Sequence, residues 1–246
     1  MIKLIRAVEP IVLTTNKAAW TRALIDKVDE YGDYKAIPDA IKDKVVSHYR
    51  HADIKEVLFE TTFKKCAFCE CLPEDGGGFV QVEHFYPKSI YYSECFSWDN
   101  FLPACSVCNT NKGDLDTREI EIINPYNDDP NENFHCKFLK ILPNHNNVKA
   151  INTEREIELN SNRLINSRTE LLRKLQILTE ELRDLIEIFN GADTQRKINS
   201  RRNKLVEKIE EIEKYMQPQS IHSYFCTQVI ITDSYYIISK SIIQGG

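Results

Sequence analysis

Two stretches of this chain carry residues whose types and spacing could do chemistry. KCAFCE separates Cys66 and Cys69 by two residues, and ACSVCN does the same for Cys105 and Cys108. Two such knuckles offer four soft thiolates to a tetrahedral zinc ion, each sulfur at about 2.3 Å from the metal. A four-sulfur site is closed to water and substrate, so such a zinc fastens rather than catalyses. It would tie the region near residue 66 to that near residue 105 and hold what lies between as a hairpin. Cys71 is close enough in sequence to compete with Cys69 as a ligand. The enclosed segment contains VEHFYPKS, residues 82–89, where a glutamate stands beside a histidine. Neighbours on a strand point to opposite faces. Glu83 and His84 can therefore serve one site only where the strand twists or ends, and Tyr86-Pro87 is the expected end.

Three residues within this frame, His84, Asn100 and Asn109, are spaced by fifteen and then eight intervening positions. With Pro87-Lys88-Ser89, Trp98-Asp99-Asn100-Phe101, Cys108-Asn109 and Lys112-Gly113, they resemble the HNH nucleases. That family folds a ββα-metal finger with a histidine on its first strand, a middle asparagine, and a final histidine or asparagine on the helix. The last position here is asparagine, and Glu83 stands where aspartate is more usual; both keep an oxygen ligand. The resemblance implies that Asn100 orients the loop and the histidine.

The chemistry of the residues agrees. Phosphodiester hydrolysis needs an activated water, charge stabilisation at the phosphate and help for the leaving oxygen. A neutral imidazole suits proton abstraction near pH 7, which makes His84 the candidate general base. Glu83 and Asn109 offer oxygens to a hard cation such as Mg²⁺ or another divalent ion. Lys112 follows Asn109 by three residues, so on a helix both share a face and its charge could meet a phosphate.

The elements that must position these groups are legible in outline. Val80, Val82 and the glycines Gly76–Gly78 suggest a strand leaving a tight turn. Residues 1–60 read as short helices: one capped by Asn16 and ending near Gly32, one after Pro38, and one carrying Ile54, Val57 and Leu58 toward Phe63. Residues 61–150 hold seven of the eight cysteines and little periodicity, as expected of a metal-fastened core. In residues 151–246, Leu171, Leu175, Leu178, Leu182, Leu185 and Phe189 recur at helical spacing. Asn190-Gly191 stops that helix, Asp193 can cap the next, and Ile198, Leu205, Ile209 and Ile212 continue the period to Pro218. Two long helices so closely joined should pack as an antiparallel hairpin, suited to docking a partner. The fold class is α+β, with a zinc-stabilised finger set among helices.

The chain of 246 residues carries a formal net charge of −5, which gives no broad positive field for holding nucleic acid. One basic stripe, Lys197, Arg201, Lys204 and Lys208, falls at helical spacing; it is either a nucleic-acid or partner contact or a solvated face paired with neighbouring glutamates. Eight cysteines without a secretion signal point to the cytoplasm, and the apolar C-terminal stretch, split by Asp233, is too short to span a bilayer.

The opening MIKLIRAVEP, the HNH core and NPYNDDPNENF resemble the PtuB-type HNH proteins of Septu and retron-associated antiphage systems. That likeness implies a defence effector beside a PtuA-type ATPase, with a reverse transcriptase and its RNA–DNA product in retron versions. DNA is the default substrate, and a structured RNA such as tRNA is the alternative. Two other readings stand beside it. One is a zinc adaptor without catalysis; the other is a stand-alone restriction-type nuclease, although no sequence-reading domain is visible.

Overall fold

The computed structural model describes residues 1–73 and 79–245, so the turn expected at Gly76–Gly78 lies outside the described residues. The chain divides into two compact units, the described parts of Met1–Phe134 with Pro143–Leu159, and of His135–Leu142 with Asn160–Gly246. Helices dominate both, with two small two-stranded sheets, which makes the fold α+β.

The first unit begins with α1 (Ile11–Tyr31), α2 (Asp39–Val46) and α3 (Ala52–Glu60). Helix α1 starts after Pro10, five residues before the expected cap at Asn16, whose side chain instead donates to Val12 O inside the helix. Proline's fixed φ favours a helix start, and a mid-helix asparagine can bond back to the preceding turn. The helix ends where Gly32 takes φ +80°, a conformation that costs glycine little. Helix α2 follows Pro38 as expected, and α3 ends at Glu60, short of Phe63.

Strands β1 (Val80–His84) and β2 (Phe101–Cys105) pair antiparallel, with His84 opposite Phe101 and Glu83 opposite Leu102. Helix α4 (Ser106–Lys112) follows directly and ends at Gly113, φ +50°. Leu13 and Leu24 of α1, Ile54 and Leu58 of α3, Val82 of β1, and Phe96, Trp98 and Phe101 share one buried cluster. The strand pair is too small to bury a face alone. The N-terminal helices supply the rest of its core.

After the short helix α5 (Pro130–Asn133), β3 (Phe134–Lys137) and β4 (Lys140–Pro143) form the second sheet, and α6 (Val148–Glu156) completes the first unit.

The second unit is built on α7 (Asn162–Asn190) and α8 (Gln195–Glu213), followed by α9 (Ser223–Ile230) and α10 (Ser234–Gln244). Leu175, Leu178 and Leu182 meet Leu205, Ile209 and Ile212, with Phe225, Ile230 and Tyr236 filling the remainder. The expected stop at Asn190 is where α7 ends, but Thr194 rather than Asp193 caps α8, its side chain accepting from Lys197 N. Asp193 is drawn into an ion pair with Lys197 at 2.7 Å. Asp233 breaks the apolar C-terminal stretch by capping α10, accepting from Tyr235 and Tyr236 N at 2.9 and 3.0 Å. No helix among the described residues is long and apolar enough to cross a membrane.

Leu182 is fully buried in this hairpin whereas Ile177 on the same helix is 58% exposed. Leu182→Ala should therefore cost about 2–5 kcal/mol, against less than about 0.5 kcal/mol for Ile177→Ala, measured by chemical denaturation.

Candidate metal centre and active site

The four expected cysteines come together. Cys66, Cys69, Cys105 and Cys108 are buried, with their sulfurs all within 4.8 Å of one another. The Cys69 and Cys105 sulfurs stand 3.8 Å apart, the edge of a tetrahedron whose centre lies about 2.3 Å from each corner. This donor set fits zinc. Cys71 lies outside the four; its carbonyl accepts from Cys66 N at 3.0 Å. Hydrogen bonds among the crowded thiols draw Cys69 and Cys105 down and push Cys108 up, while burial first pushes Cys66 up, so the four share their protons unequally.

The cluster fastens three pieces. Cys66 and Cys69 sit on a loop anchored by Ala67 N donating to Pro103 O of β2 at 2.8 Å. Cys105 ends β2 and accepts from Cys108 N in the first turn of α4. Glu70, buried in the same loop, receives both the Lys65 ammonium and the N-terminal ammonium.

His84 is the last residue of β1, so the backbone turns irregular directly after it. Phe85 N still donates to Asn100 O at 2.8 Å, and the Asn100 side chain does the rest. Its Oδ1 accepts from Tyr86 N at 2.7 Å while its Nδ2 donates to Tyr86 O at 3.0 Å and Glu94 O at 3.2 Å. This buried amide thus closes the loop from 85 to 100 upon itself. That loop presents Cys95 O to His84 Nε2 at 2.9 Å. A carbonyl only accepts, so in the neutral ring the proton sits on Nε2 and the lone pair on Nδ1. The ring stands perpendicular to those of Tyr49 and Phe101, with centroids 4.7 and 5.2 Å away, and the residue is 2% exposed. Burial first, then the charge of Lys88, pulls its pKa down to about 3.

Glu83 points the other way, as strand alternation requires, and meets Lys112 from α4. The ammonium, fully buried, lies 2.6 Å from Glu83 Oε1 and also donates to His84 O at 2.8 Å. Burial pushes the Glu83 carboxyl up, and the Lys112 charge pulls it back. Asn109, three residues earlier, lies at the edge, its Nδ2 donating to Gln81 Oε1 at 2.6 Å. As placed, Glu83 and Asn109 do not fit a divalent ion: the carboxylate is already countered by an ammonium. Lys112 faces the interior rather than an incoming phosphate.

The basic stripe of α8 lies in the second unit. Lys197 pairs with Asp193, Lys208 with Glu181 and Glu211, and Arg201 donates to Ile188 O. Lys204 is exposed on the same helix. The aromatic residues near the finger pack: Trp98 is buried with Nε1 on Ala7 O, while Tyr86 and Tyr91 flank Arg118.

Tyr49, on a short 3-10 turn after α2, covers His84 and lies 35 positions away from it in sequence. Nothing in its local pattern announces that contact. Its neighbours Arg50 and Lys55 were equally unmarked.

The chain is 30% identical over 191 residues to the Septu protein PtuB of Bacillus thuringiensis, covering 77% of this chain and 72% of that one. It is 24% identical to the Septu protein PtuB of Bacillus mycoides (strain KBAB4), covering 61% of this chain and 63% of the relative. No protein-family model matches the sequence.

The placement of His84 has a consequence for stability against pH. An unfolded His84 takes up a proton as pH falls below about 6.5, whereas the folded ring refuses one until about 3. The stability contributed is full above pH 6.5 and is lost as pH falls, by at most about 1.4 kcal/mol per pH unit. Urea denaturation between pH 6.5 and 4 should give wild type a steeper loss than His84→Gln. Identical slopes would show that the ring is not held neutral.

Proposed function

Because the chain belongs to the family of the Septu protein PtuB, we propose that it acts in Septu antiphage defence as a nuclease of the HNH type, with His84 as general base. The observation that carries this reading is the Nε2 contact of His84 with the carbonyl of Cys95. It leaves Nδ1 as the ring's one proton acceptor, on a residue pinned at a strand end by a buried asparagine. A structural pair on a surface needs no such fixing.

In this reading each residue has a distinct task. Asn100 is a positioning residue, because it shapes the loop whose carbonyl sets the His84 tautomer. Lys112 is another, holding Glu83 and the His84 carbonyl together at the end of β1. Asn109, at the edge, is held by its bond to Gln81 and has its amide oxygen left to meet substrate. Mg²⁺ or another divalent cation is implied by the family resemblance alone; with Glu83 taken up by Lys112, this reading routes no step through such an ion. The zinc supplies no reactive position; its chemistry is to fasten thiolates.

The resting site is closed. A base of pKa about 3 is too weak to take a proton from water efficiently at neutral pH. Burial is the first cause of that weakness, and the Lys88 charge is the second. Displacement of the Tyr49 ring would wet the imidazole, and a phosphate arriving near Lys88 would offset the lysine's charge. Both changes raise the basicity of His84 when substrate is present. A nuclease that would otherwise injure its own cell has reason to be kept in this state.

A PtuA-type ATPase is the partner this reading implies as an aid to substrate capture, since both named relatives are Septu proteins; a retron reverse transcriptase has no such support. The acidic net charge of −5 points the same way. A zinc adaptor is the competing reading, and it has no use for a fixed imidazole tautomer.

The two are separated in cells that carry the defence genes, by isolating total nucleic acid after phage infection. His84→Ala should keep its zinc and lower cleavage by about 10²–10⁴-fold, with loss of protection. Whether DNA or a discrete RNA is cut in wild type identifies the substrate. Equal cleavage and protection in both would remove His84 as base and favour the adaptor.

A further inference from the structure

We propose that the groove between α3 and β1 binds the sugar–phosphate backbone of a nucleic-acid strand, with Arg50 and Lys55 as its phosphate contacts. This deepens the nuclease reading and rests on it for the chemistry at His84.

The groove encloses about 410 Å³ and is lined by Tyr49, Arg50, Lys55, Phe79, Gln81 and Asn109, with Val80 and Val82 at its base. That volume falls within the roughly 300–1,000 Å³ of ordinary ligand pockets. Among the described residues its lining contains two cations and no carboxylate. This is unusual in a chain whose acidic residues outnumber lysine and arginine, 37 to 32. Most surface cations of the first unit lie against an acid, as Lys17 does with Glu9 and Lys149 with Asp128. Lys55 has no ion pair among the described residues, nor does Lys88, whose ammonium lies 5.7 Å over the Tyr49 ring. Arg50 contacts Asp43 at 3.3 Å and donates to the Tyr49 hydroxyl at 3.2 Å; it also lines an adjoining cavity in which Lys42 and Lys88 stand with Asp39 and Asp43. Of that cavity's cations Lys42 is paired with Asp39, which leaves Lys88 as the charge beyond Tyr49 with no ion pair among the described residues.

The remaining lining suits a nucleotide strand. Gln81 and Asn109 bring amide groups to the wall, able to meet sugar hydroxyls or phosphate oxygens. Phe79 is 78% exposed at the groove, a free aromatic face of the kind on which a base stacks. Tyr49 forms part of the wall while its ring stands perpendicular to that of His84, centroids 4.7 Å apart. A strand in this groove therefore lies against the very ring that shuts the candidate base from water. The global charge opposes nucleic-acid binding, and this local charge supplies what the rest of the surface lacks.

The test is binding, measured at low salt on the zinc-loaded full chain in the His84→Ala background, so that nothing is cut. Fluorescence anisotropy is read with labelled single-stranded DNA, single-stranded RNA and duplex DNA, which share the backbone and differ in sugar and shape. The double variant Arg50→Ala/Lys55→Ala should lose about 10-fold or more in affinity, with the salt slope reduced by about 2, near 1 per phosphate contact. Lys55→Arg should bind as the parent does, and Lys204→Ala, in the other unit, should change nothing. Zinc content checked on each variant excludes misfolding as the cause. Unchanged affinity and slope in the double variant would overturn the proposal, as would a parent chain that binds none of the three. Loss of cleavage in His84→Ala with unaltered binding in the groove variant overturns the groove and leaves the nuclease. Loss of binding in the groove variant with cleavage intact in His84→Ala keeps the groove and removes His84 as the base.

Discussion

Four sulfurs brought within 4.8 Å of one another are the constraint on which the candidate site depends. Four buried thiols so close would crowd one another, and four thiolates without a cation would repel strongly. A zinc ion bound there would turn that liability into a bond network that adds to folding free energy. The consequence is geometric. The cluster joins the loop of Cys66 and Cys69 to the end of β2 and the start of α4, so it sets the position of that helix on the strand pair. Asn109 and Lys112 then have defined places beside β1, and Phe101 on β2 has its place against His84. A two-stranded sheet of five residues each would not hold this arrangement alone.

Within that frame the polar interior is closed by mutual satisfaction. Lys112 answers Glu83 and a carbonyl; Asn100 answers three backbone groups; Thr117 donates to Phe85 O at 2.7 Å. Buried polar groups so paired define one geometry, because any slip leaves a donor or acceptor bare. The same closure explains why His84 is neutral and dry. Rigidity and accessibility compete here, and the resolution lies with Tyr49. Its ring packs in the core cluster shared with Phe101, and its hydroxyl accepts from Arg50 Nε at 3.2 Å, so it is held from outside the strand pair.

Some of this was legible from residue order and some was not. The cysteine knuckles announced themselves because a metal demands a fixed spacing, and the assembled sulfurs match it. The leucines of α7 and α8 announced a hairpin because burial on one helix face imposes a period. The end of β1 at His84 followed from Pro87 nearby. Helix starts were less secure: Asn16 and Asp193 are both plausible caps by type, but Pro10 and Thr194 took the role, because several polar residues compete locally for the same orphan amides. Adjacent strand residues do part, and Glu83 turns to Lys112; yet the strength of that pair, with the lysine fully buried, depends on how deeply α4 packs. Tyr49, Arg50 and Lys55 were invisible for a different reason. They reach the site through tertiary packing from helices that carry no motif of their own.

The dependence of the finger on its sulfur cluster is tested most directly by removing the metal and following hydrogen exchange along the chain by mass spectrometry. The protein as purified should hold one zinc per chain. As a chelator withdraws it, the amides of residues 80–84 and 101–112 should lose protection together, while those of α7 and α8 keep theirs. Protection of β1, β2 and α4 that survives a zinc content of zero would contradict the account, and the site would then owe its geometry to the surrounding helices alone.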